Sequence, residues 1–218
     1  MLGVGPCDYV GCVASIPTNG PIVAAGTCGN DENGNGSGRV RALSYCSTTS
    51  KHDQLGGALA GAALHGKFGV SASMPADGVT VVAGTAKNDD SVPSCSHTRV
   101  LAHSSTTKKW NRLGNDLVGT ASRTCFGYSV SMPAGSTTVA AGTPESDDIG
   151  DGSGCARALA WSSTMNKHGC LGSTAAGSAA CGWFREPVST PTDDTNVEVG
   201  APCNSGSSYD GGHGRVLT

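Results

Sequence analysis

The chain has 218 residues, of which 33 are glycine, 14% are charged and 5% are aromatic, and its formal net charge is −3. This composition favours short strands joined by many turns and excludes an assembly of long charged helices. The small negative charge gives no indication of a nucleic-acid partner. Apolar runs of five or six residues are far too short for a membrane span.

One sequence unit is written four times along the chain. Its clearest copy is residues 126–143, FGYSVSMPAGSTTVAAGT. Four kinds of residue mark the copies, and within each kind every member lies 58 residues from the next: Pro17, Pro75, Pro133 and Pro191; Gly26, Gly84, Gly142 and Gly200; Arg41, Arg99, Arg157 and Arg215; Leu43, Leu101, Leu159 and Leu217. A fixed period of this size predicts a repeat architecture.

The second copy predicts four short antiparallel strands. Residues 68–74 alternate in polarity and are joined by an Asp-Gly turn to the β-branched residues 79–85, which is the pattern of a hairpin. A third strand is predicted at residues 99–103 and a fourth at residues 110–117, broken near Gly114. Four short strands per repeat with polar loops is the layout of a propeller blade.

The period divides the chain into three complete repeats, 10–67, 68–125 and 126–183, and an incomplete fourth, 184–218. We therefore predict an all-β fold, a β-propeller-like array of four four-stranded antiparallel blades forming one domain over the whole chain. The fourth repeat stops after its third strand. Because an unpaired edge invites strand pairing, we expect completion by residues 1–9, which resemble a shortened fourth strand, or by a neighbouring chain.

The repeat resembles the FG-GAP repeat of integrin-α-like β-propellers over nearly the whole chain. The Phe-Gly pairs at 68–69 and 126–127 and the segments 82–85 and 140–144 carry the resemblance, and residues 200–202 read Gly-Ala-Pro. The resemblance implies a β-propeller, an extracellular setting, and a role in adhesion, assembly or ligand binding rather than in catalysis. The chain departs from the family in having fewer repeats than such propellers commonly contain.

The resemblance also implies calcium sites in the loops after the Gly-Ala-Pro position, where alternating oxygen ligands and a glycine suit this ion. The candidate ligands are Asp31, Asn33 and Asn35 in the first repeat and Glu145, Asp147 and Asp151 in the third. The first loop lacks a carboxylate at its far end. The alternative is a solvated turn in which Asp and Asn stabilise the backbone.

Three other sets of residues have structural interpretations. We expect the repeated arginines to pair with loop carboxylates or carbonyls rather than form an anion site. We expect Phe68, Phe126 and Phe184 to pack between repeats. His52 and His168 share the register of Trp110, which indicates a packing position rather than a metal cluster. No hydrolase, metalloprotease or P-loop motif occurs, so we predict no enzymatic activity and no certain cofactor.

Ten cysteines without a CxxC pair favour disulfides in an oxidising compartment. They are Cys7, Cys12, Cys28, Cys46, Cys95, Cys125, Cys155, Cys170, Cys181 and Cys203. The sequence leaves their pairing open, and links between neighbouring repeats or across the chain ends are the arrangements we consider. Asn35 begins the sequon Asn-Gly-Ser, a candidate glycosylation site in a polar loop.

These features predict a non-catalytic extracellular structural protein that assembles into a fibre or surface layer. Its partners would be copies of itself or other extracellular proteins and glycans. The alternative is an integrin-like adhesion or ligand-binding module that depends on calcium.

Overall fold

A computed structural model describes residues 10–17, 20–61, 65–85, 96–119, 125–134, 138–143, 154–176, 186–189, 197–204 and 211–217. For residues 172–176 and the last three of these ranges it describes the backbone alone. No helix occurs in the described residues, and every strand pairing among them is antiparallel apart from one isolated bridge. The chain is therefore all-β, as its composition and turns predict.

In the part of the chain that the structure describes, the strands form four sheets, each within one repeat. Sheet 1 contains β1 (Val10–Ser15), β2 (Ile22–Thr27), β3 (Arg39–Cys46), β4 (Lys51–Gln54) and β5 (Leu59–Ala60). Sheet 2 contains β6 (Ser71–Ser73), β7 (Thr80–Gly84), β8 (His97–Ser104), β9 (Lys109–Arg112) and β10 (Leu117–Val118). Sheet 3 contains β11 (Ser129–Ser131), β12 (Thr138–Thr143), β13 (Cys155–Ser162) and β14 (Lys167–Ala176). Sheet 4 contains β15 (Glu186–Ser189), β16 (Val197–Asn204) and β17 (Gly211–Leu217).

Within each sheet the strands pair with their sequence neighbours, except that β5 pairs with β3 and β10 pairs with β8. The predicted break in the fourth strand of the second repeat is confirmed. Both β9 and β10 pair with β8, and between them Leu113 donates its N–H to the carbonyl of Val100 at 2.8 Å.

The first predicted strand of that repeat, residues 68–74, is shorter in the structure, where β6 begins at Ser71. The residues before it bind the preceding sheet instead. Phe68 bridges Gly38 and donates its N–H to the carbonyl of Ser37 at 3.0 Å. Gly69, in contrast, donates its N–H to the carbonyl of Gly84 in its own repeat at 2.9 Å, so the Phe-Gly pair joins the contact between repeats to the hairpin.

Successive sheets pack face to face through their first strands. β1 contacts β6, β6 contacts β11, and β11 contacts β15. Serines tie these strands together, since Met74 donates its N–H to Ser15 Oγ at 3.0 Å and Met132 donates to Ser73 Oγ at 3.1 Å. The sheets thus follow one another in a serial, propeller-like array.

The apolar core lies between the sheets rather than within any one of them. One cluster joins sheets 1 and 2 and contains Phe68, and a second joins sheets 2 and 3 and contains Phe126. Both rings are 1% exposed, which confirms the predicted inter-repeat packing for these two residues. Phe184 lies outside the described residues.

Glycine is required where neighbouring sheets come closest. A Cβ on Gly84 would overlap the carbonyl oxygen of Gly127 in the next sheet, and one on Gly26 would overlap that of Gly69. The repeated glycine and the repeated Phe-Gly pair are therefore two sides of one contact. Both must lack a side chain for the backbones to approach this closely.

One prediction about the chain ends stays a prediction. Residues 1–9, on which we placed the missing fourth strand, lie outside the described residues. Within the described part, no helix is long and apolar enough to cross a lipid bilayer.

Candidate functional site

The acidic loop of the first repeat connects β2 to β3 and is closed by its own hydrogen bonds. Gly36 donates its N–H to Asp31 Oδ1 at 2.6 Å, and Gly34 donates to the backbone carbonyl of Asp31 at 3.0 Å. The buried Asn30 accepts the N–H of Gly38 on its carbonyl oxygen at 2.9 Å. These contacts match the alternative interpretation, in which Asp and Asn stabilise a turn.

The same loop uses its second carboxylate to neutralise a buried cation. Glu32 forms an ion pair with Arg39, whose side chain is fully buried at the start of β3. Because a buried guanidinium without a counter-charge would be costly, this pair fixes the loop against the sheet. Glu32 is therefore engaged in the fold of the repeat.

The predicted calcium ligands of this loop remain exposed but are only partly available. Asp31, Asn33 and Asn35 all face solvent, and one oxygen of Asp31 already accepts an N–H. Among the described residues no group of three or more His, Cys, Asp or Glu side chains is placed to hold a metal ion. The third-repeat candidates Glu145, Asp147 and Asp151 lie outside the described residues. Calcium at either loop stays a prediction.

The sequon has one exposed and one buried end. Asn35 is exposed, whereas Ser37 is 1% exposed and donates its hydroxyl to the carbonyl of Asn30 at 3.2 Å. The serine hydroxyl that helps define the sequon is thus committed to the folded loop. A glycan on Asn35 would have to be added before this loop closes.

Arg99 links two sheets, as expected for the repeated arginines. Its Nε donates to Asp116 Oδ1 at 3.0 Å within sheet 2, and its Nη1 donates to the carbonyl of Ala60 in sheet 1 at 3.4 Å. The guanidinium also lies over the ring of Phe68, 5.6 Å from its centroid. This residue is structural rather than part of an anion site.

A pair of rings stands at one register in each of the first three sheets, across the hairpin formed by the third and fourth strands. The pairs are Tyr45 and His52 at 5.2 Å, His103 and Trp110 at 5.2 Å, and Trp161 and His168 at 5.0 Å between ring centroids. Each pair joins directly opposed residues of its hairpin. Such cross-strand aromatic pairs stabilise a hairpin.

The ring pairs of sheets 2 and 3 pack on the Leu-Gly segment of the preceding sheet. Trp110 Nε1 donates to the carbonyl of Leu55 at 2.7 Å, and a Cβ on Gly56 would lie 2.9 Å from Trp110 Cδ1. A Cβ on Gly114 would lie 2.5 Å from Trp161 Cζ3. The second and third repeats therefore make the same type of contact with the repeat before them.

The histidines behave as packing residues where a sheet covers them. His168 is half-buried, and burial lowers the pKa of its imidazole below the usual 6.5. Within the described part of the chain neither of its ring nitrogens has a hydrogen-bond partner. His52, at the same register in sheet 1, is exposed. The prediction of a packing position is confirmed for His168.

The cysteines are arranged differently from our expectation. Cys12 and Cys28 form a disulfide within sheet 1, 16 residues apart, rather than a link between repeats. Cys46, Cys155 and Cys170 carry thiols in this structure, although we expected all ten cysteines to form disulfides. Cys155 is buried in β13, whereas Cys46 lies on sheet 1 and Cys170 is exposed on sheet 3, so the fold does not bring these three together.

The thiol of Cys46 is more acidic than an ordinary cysteine thiol. Hydrogen bonds from the side chains of Thr48 and Thr49 lower its pKa to about 7, and the Thr48 hydroxyl lies 3.0 Å from the sulfur. A substantial fraction is therefore thiolate at neutral pH, the form that reacts with electrophiles.

The sequence analysis identified only one member of each ring pair. Comparison of His52 and His168 with Trp110 shows that these three residues share one register of the repeat. The other members of the pairs, Tyr45, His103 and Trp161, have the same spacing and could have been found by the same comparison. Only the three-dimensional arrangement shows that the two sets of rings face each other and, in sheets 2 and 3, pack on the preceding repeat.

Comparison with known proteins supports the fold. No protein-family model and no curated protein sequence matches the chain. Among solved structures, Sqt1 of Saccharomyces cerevisiae, a β-propeller, aligns with 89% of this chain at a TM-score of 0.51 and 14% identity. The tricorn protease aligns with 88% of the chain at a TM-score of 0.46 and 8% identity. The chain spans only 42% of Sqt1 and 19% of the tricorn protease. The likeness to Sqt1 indicates a β-propeller-like fold.

Proposed function

We propose that this chain is a non-catalytic extracellular structural protein that assembles with copies of itself into a fibre or surface layer. Its four sheets would act as four blades, with the fourth completed by residues 1–9 or by a neighbouring chain. The observation that carries the proposal is the contact repeated between successive sheets. Ring pairs of sheets 2 and 3 pack on the Leu-Gly segments around Gly56 and Gly114. An interface built from the repeat itself is able to continue into another copy.

The extracellular setting rests on one observation of the structure and on one resemblance of the sequence. The disulfide between Cys12 and Cys28 is of the kind that persists in oxidising compartments. The FG-GAP resemblance of the Phe-Gly and Ala-Gly motifs supports the same setting. That the chain belongs to the FG-GAP family is itself proposed, on the basis of this resemblance.

Electron microscopy of the purified native protein tests this function. Regular fibres or sheets, with a repeat close to the size of one chain, are the expected result. Discrete particles the size of one chain, at every protein concentration tested, would contradict assembly and direct attention to the loops as a binding surface.

The alternative is an integrin-like adhesion module that depends on calcium, and it rests on the exposed oxygen-bearing side chains of Asp31, Asn33 and Asn35. A calcium titration of the melting temperature tests it. The adhesion reading predicts a rise that Asp31→Ala abolishes and that Asp53→Ala, an exposed carboxylate in β4, leaves intact. A melting temperature that does not change with calcium would count against the metal-dependent form.

A further inference from the structure

One side of sheet 2 faces sheet 1, and the same side of sheet 3 faces sheet 2. We call this side, and the equivalent side of sheet 1, the leading face. In sheet 1 it carries Ile16, Val23, Leu43 and Tyr45, which occupy the registers of Met74, Val81, Leu101 and His103 in sheet 2. Met74, Val81 and Leu101 all belong to the cluster packed between sheets 1 and 2. The assignment of the leading face of sheet 1 therefore follows from where its counterparts pack.

The leading face of sheet 1 is uncovered compared with its counterparts. Ile16 is 67% exposed, whereas Met74 and Met132 at the same register are 5% and 8% exposed. Val23 is half-buried, whereas Val81 and Val139 are both fully buried.

The outer end of this face shows the same contrast. Leu43 is half-buried, while Leu101 and Leu159 at its register are buried. Tyr45 is 42% exposed and His52 is exposed, whereas the rings of Trp110 and His168 are half-buried against a preceding sheet.

Scattered exposed apolar residues are normal on protein surfaces. Here, however, they fall at the registers that bury against another repeat elsewhere in the same chain. An apolar face with this organisation marks an interaction site. Its best partner has the chemistry of the surface that its counterparts meet, which is the following side of a sheet of this same fold.

We propose that the leading face of sheet 1 binds the fourth sheet of a second copy of this chain, head to tail. The contacts between sheets are serial, from sheet 1 to sheet 2, from sheet 2 to sheet 3 and from sheet 3 to sheet 4. A second copy placed in that direction continues the contact already made between sheets 1 and 2. The contact is heterologous, so it closes into a ring or extends into a filament according to its rotation angle.

This inference rests on the proposed assembly function and assigns the surface that carries it. It differs from strand completion, because the leading face uses side chains of Ile16 and Tyr45 rather than backbone hydrogen bonds at a strand edge. The two contacts are compatible within one head-to-tail interface.

Sedimentation velocity of the full chain across a wide concentration range tests the proposal. The unmodified protein should associate, with its mean mass rising with concentration. Ile16→Lys should raise the dissociation constant by about tenfold or more, because a charge is placed in an apolar contact. Its melting temperature, measured at a concentration where the protein is monomeric, should not change, since Ile16 is exposed in one chain. Met165→Lys, at a 63% exposed residue in the turn between β13 and β14, is the matched control and should associate normally.

The possible failures separate the two proposals. If Ile16→Lys associates as the unmodified protein does, the leading face is not the interface, while assembly itself survives. If the unmodified protein stays monomeric at every concentration, both proposals fail. A monomer whose melting temperature falls with Ile16→Lys would show that the chain covers this face itself. Tyr45→Lys, at the outer end of the same face, provides the same test if Ile16→Lys does not fold.

Discussion

The indole Nε1 of Trp110 donates a 2.7 Å hydrogen bond to the carbonyl oxygen of Leu55, 55 residues earlier in the chain. This bond joins sheet 2 to sheet 1 at the Leu-Gly segment that each complete repeat carries. It satisfies the polar atom of a partly buried indole and leaves the rest of the ring to pack on Gly56. One repeat thus binds the one before it through the packing of an aromatic ring on a glycine and through one hydrogen bond. The proposed assembly depends on contacts of this type.

The buried ring of Phe126 should be a main contributor to the contact between sheets 2 and 3. Phe126→Ala is expected to lower the free energy of unfolding by about 3 kcal/mol, as truncation of a buried aromatic residue usually does. Urea denaturation measures the change. Tyr128→Ala, two residues away and 37% exposed, is the control and should lose much less. A loss below about 0.5 kcal/mol for Phe126→Ala would show that the ring is solvated.

The close approach of Gly84 to Gly127 predicts intolerance to a single methyl group. Gly84→Ala should destabilise the protein by about 3 kcal/mol, because the Cβ would overlap the carbonyl oxygen of Gly127 and the two backbones must separate. Thermal unfolding by circular dichroism measures the effect. Gly169→Ala places its Cβ where no atom lies within 4 Å and should leave the melting temperature almost unchanged. Equal effects of the two substitutions would refute the close contact.

Burial of His168 predicts a loss of stability in mild acid. Because its pKa is lowered in the fold, the unfolded chain binds this proton more readily. The contribution is therefore fully present above the unfolded value near 6.5 and is lost as the pH falls below it, towards the lower folded pKa. Chemical denaturation of the unmodified protein and of His168→Phe at about pH 7.5 and about pH 5.5 measures the effect.

The difference between those two proteins isolates this histidine from the other titrating groups. The unmodified protein should lose more stability on acidification than His168→Phe does. Parallel pH profiles would mean that His168 remains hydrated.

Asp116 neutralises two arginines and should be needed for the Arg99 bridge. It forms ion pairs with Arg99 Nε and Arg112 Nη1, each at 3.0 Å. Asp116→Asn should cost on the order of 2 kcal/mol, less than a fully buried pair, because Arg112 is substantially exposed. Equilibrium denaturation is the measurement, and Asp53→Asn, in the exposed strand β4, is the control. If both substitutions cost the same small amount, the bridge contributes nothing specific.

The disulfide between Cys12 and Cys28 closes a short loop within sheet 1. Replacing both residues with serine should lower stability by about 3 kcal/mol, the value expected from loop-closure entropy for a loop of this length. The melting temperature of the oxidised protein should likewise fall on addition of a reductant. The double serine variant is the control, since a reductant should not affect it through this bond. Mass spectrometry that finds Cys12 and Cys28 joined to other residues would contradict the pairing.

The repeat period and strand positions could be predicted because their causes are local in sequence. Alternation of apolar residues, the Asp-Gly turn and the break near Gly114 all act through neighbouring residues. Their consequences, from the hairpin of β6 and β7 to the divided fourth strand, appear in the structure. The identical spacing of Phe68 and Phe126 was sufficient to place both rings between repeats.

The partners of Arg99 and of the cysteines were decided by tertiary structure alone. The sequence shows that Arg99 recurs but not that its partners are Asp116 and the carbonyl of Ala60. It shows ten cysteines, but it does not pair Cys12 with Cys28. The contact of Arg99 with Ala60 depends on how far sheet 2 is shifted and rotated against sheet 1, and the disulfide depends on the irregular pairing of β1 with β2. No short stretch of sequence encodes either arrangement.

The proposed assembly surface likewise depends partly on the sequence and partly on the tertiary structure. By itself the sequence determined that four similar units follow one another, because a fixed period places equivalent residues at equivalent points of each sheet. Only the tertiary structure decided that Met74 is buried while Ile16, at the same register, is exposed. The physical reason is that burial of a residue depends on the presence of a neighbouring sheet, and the first sheet meets none on its leading face among the described residues.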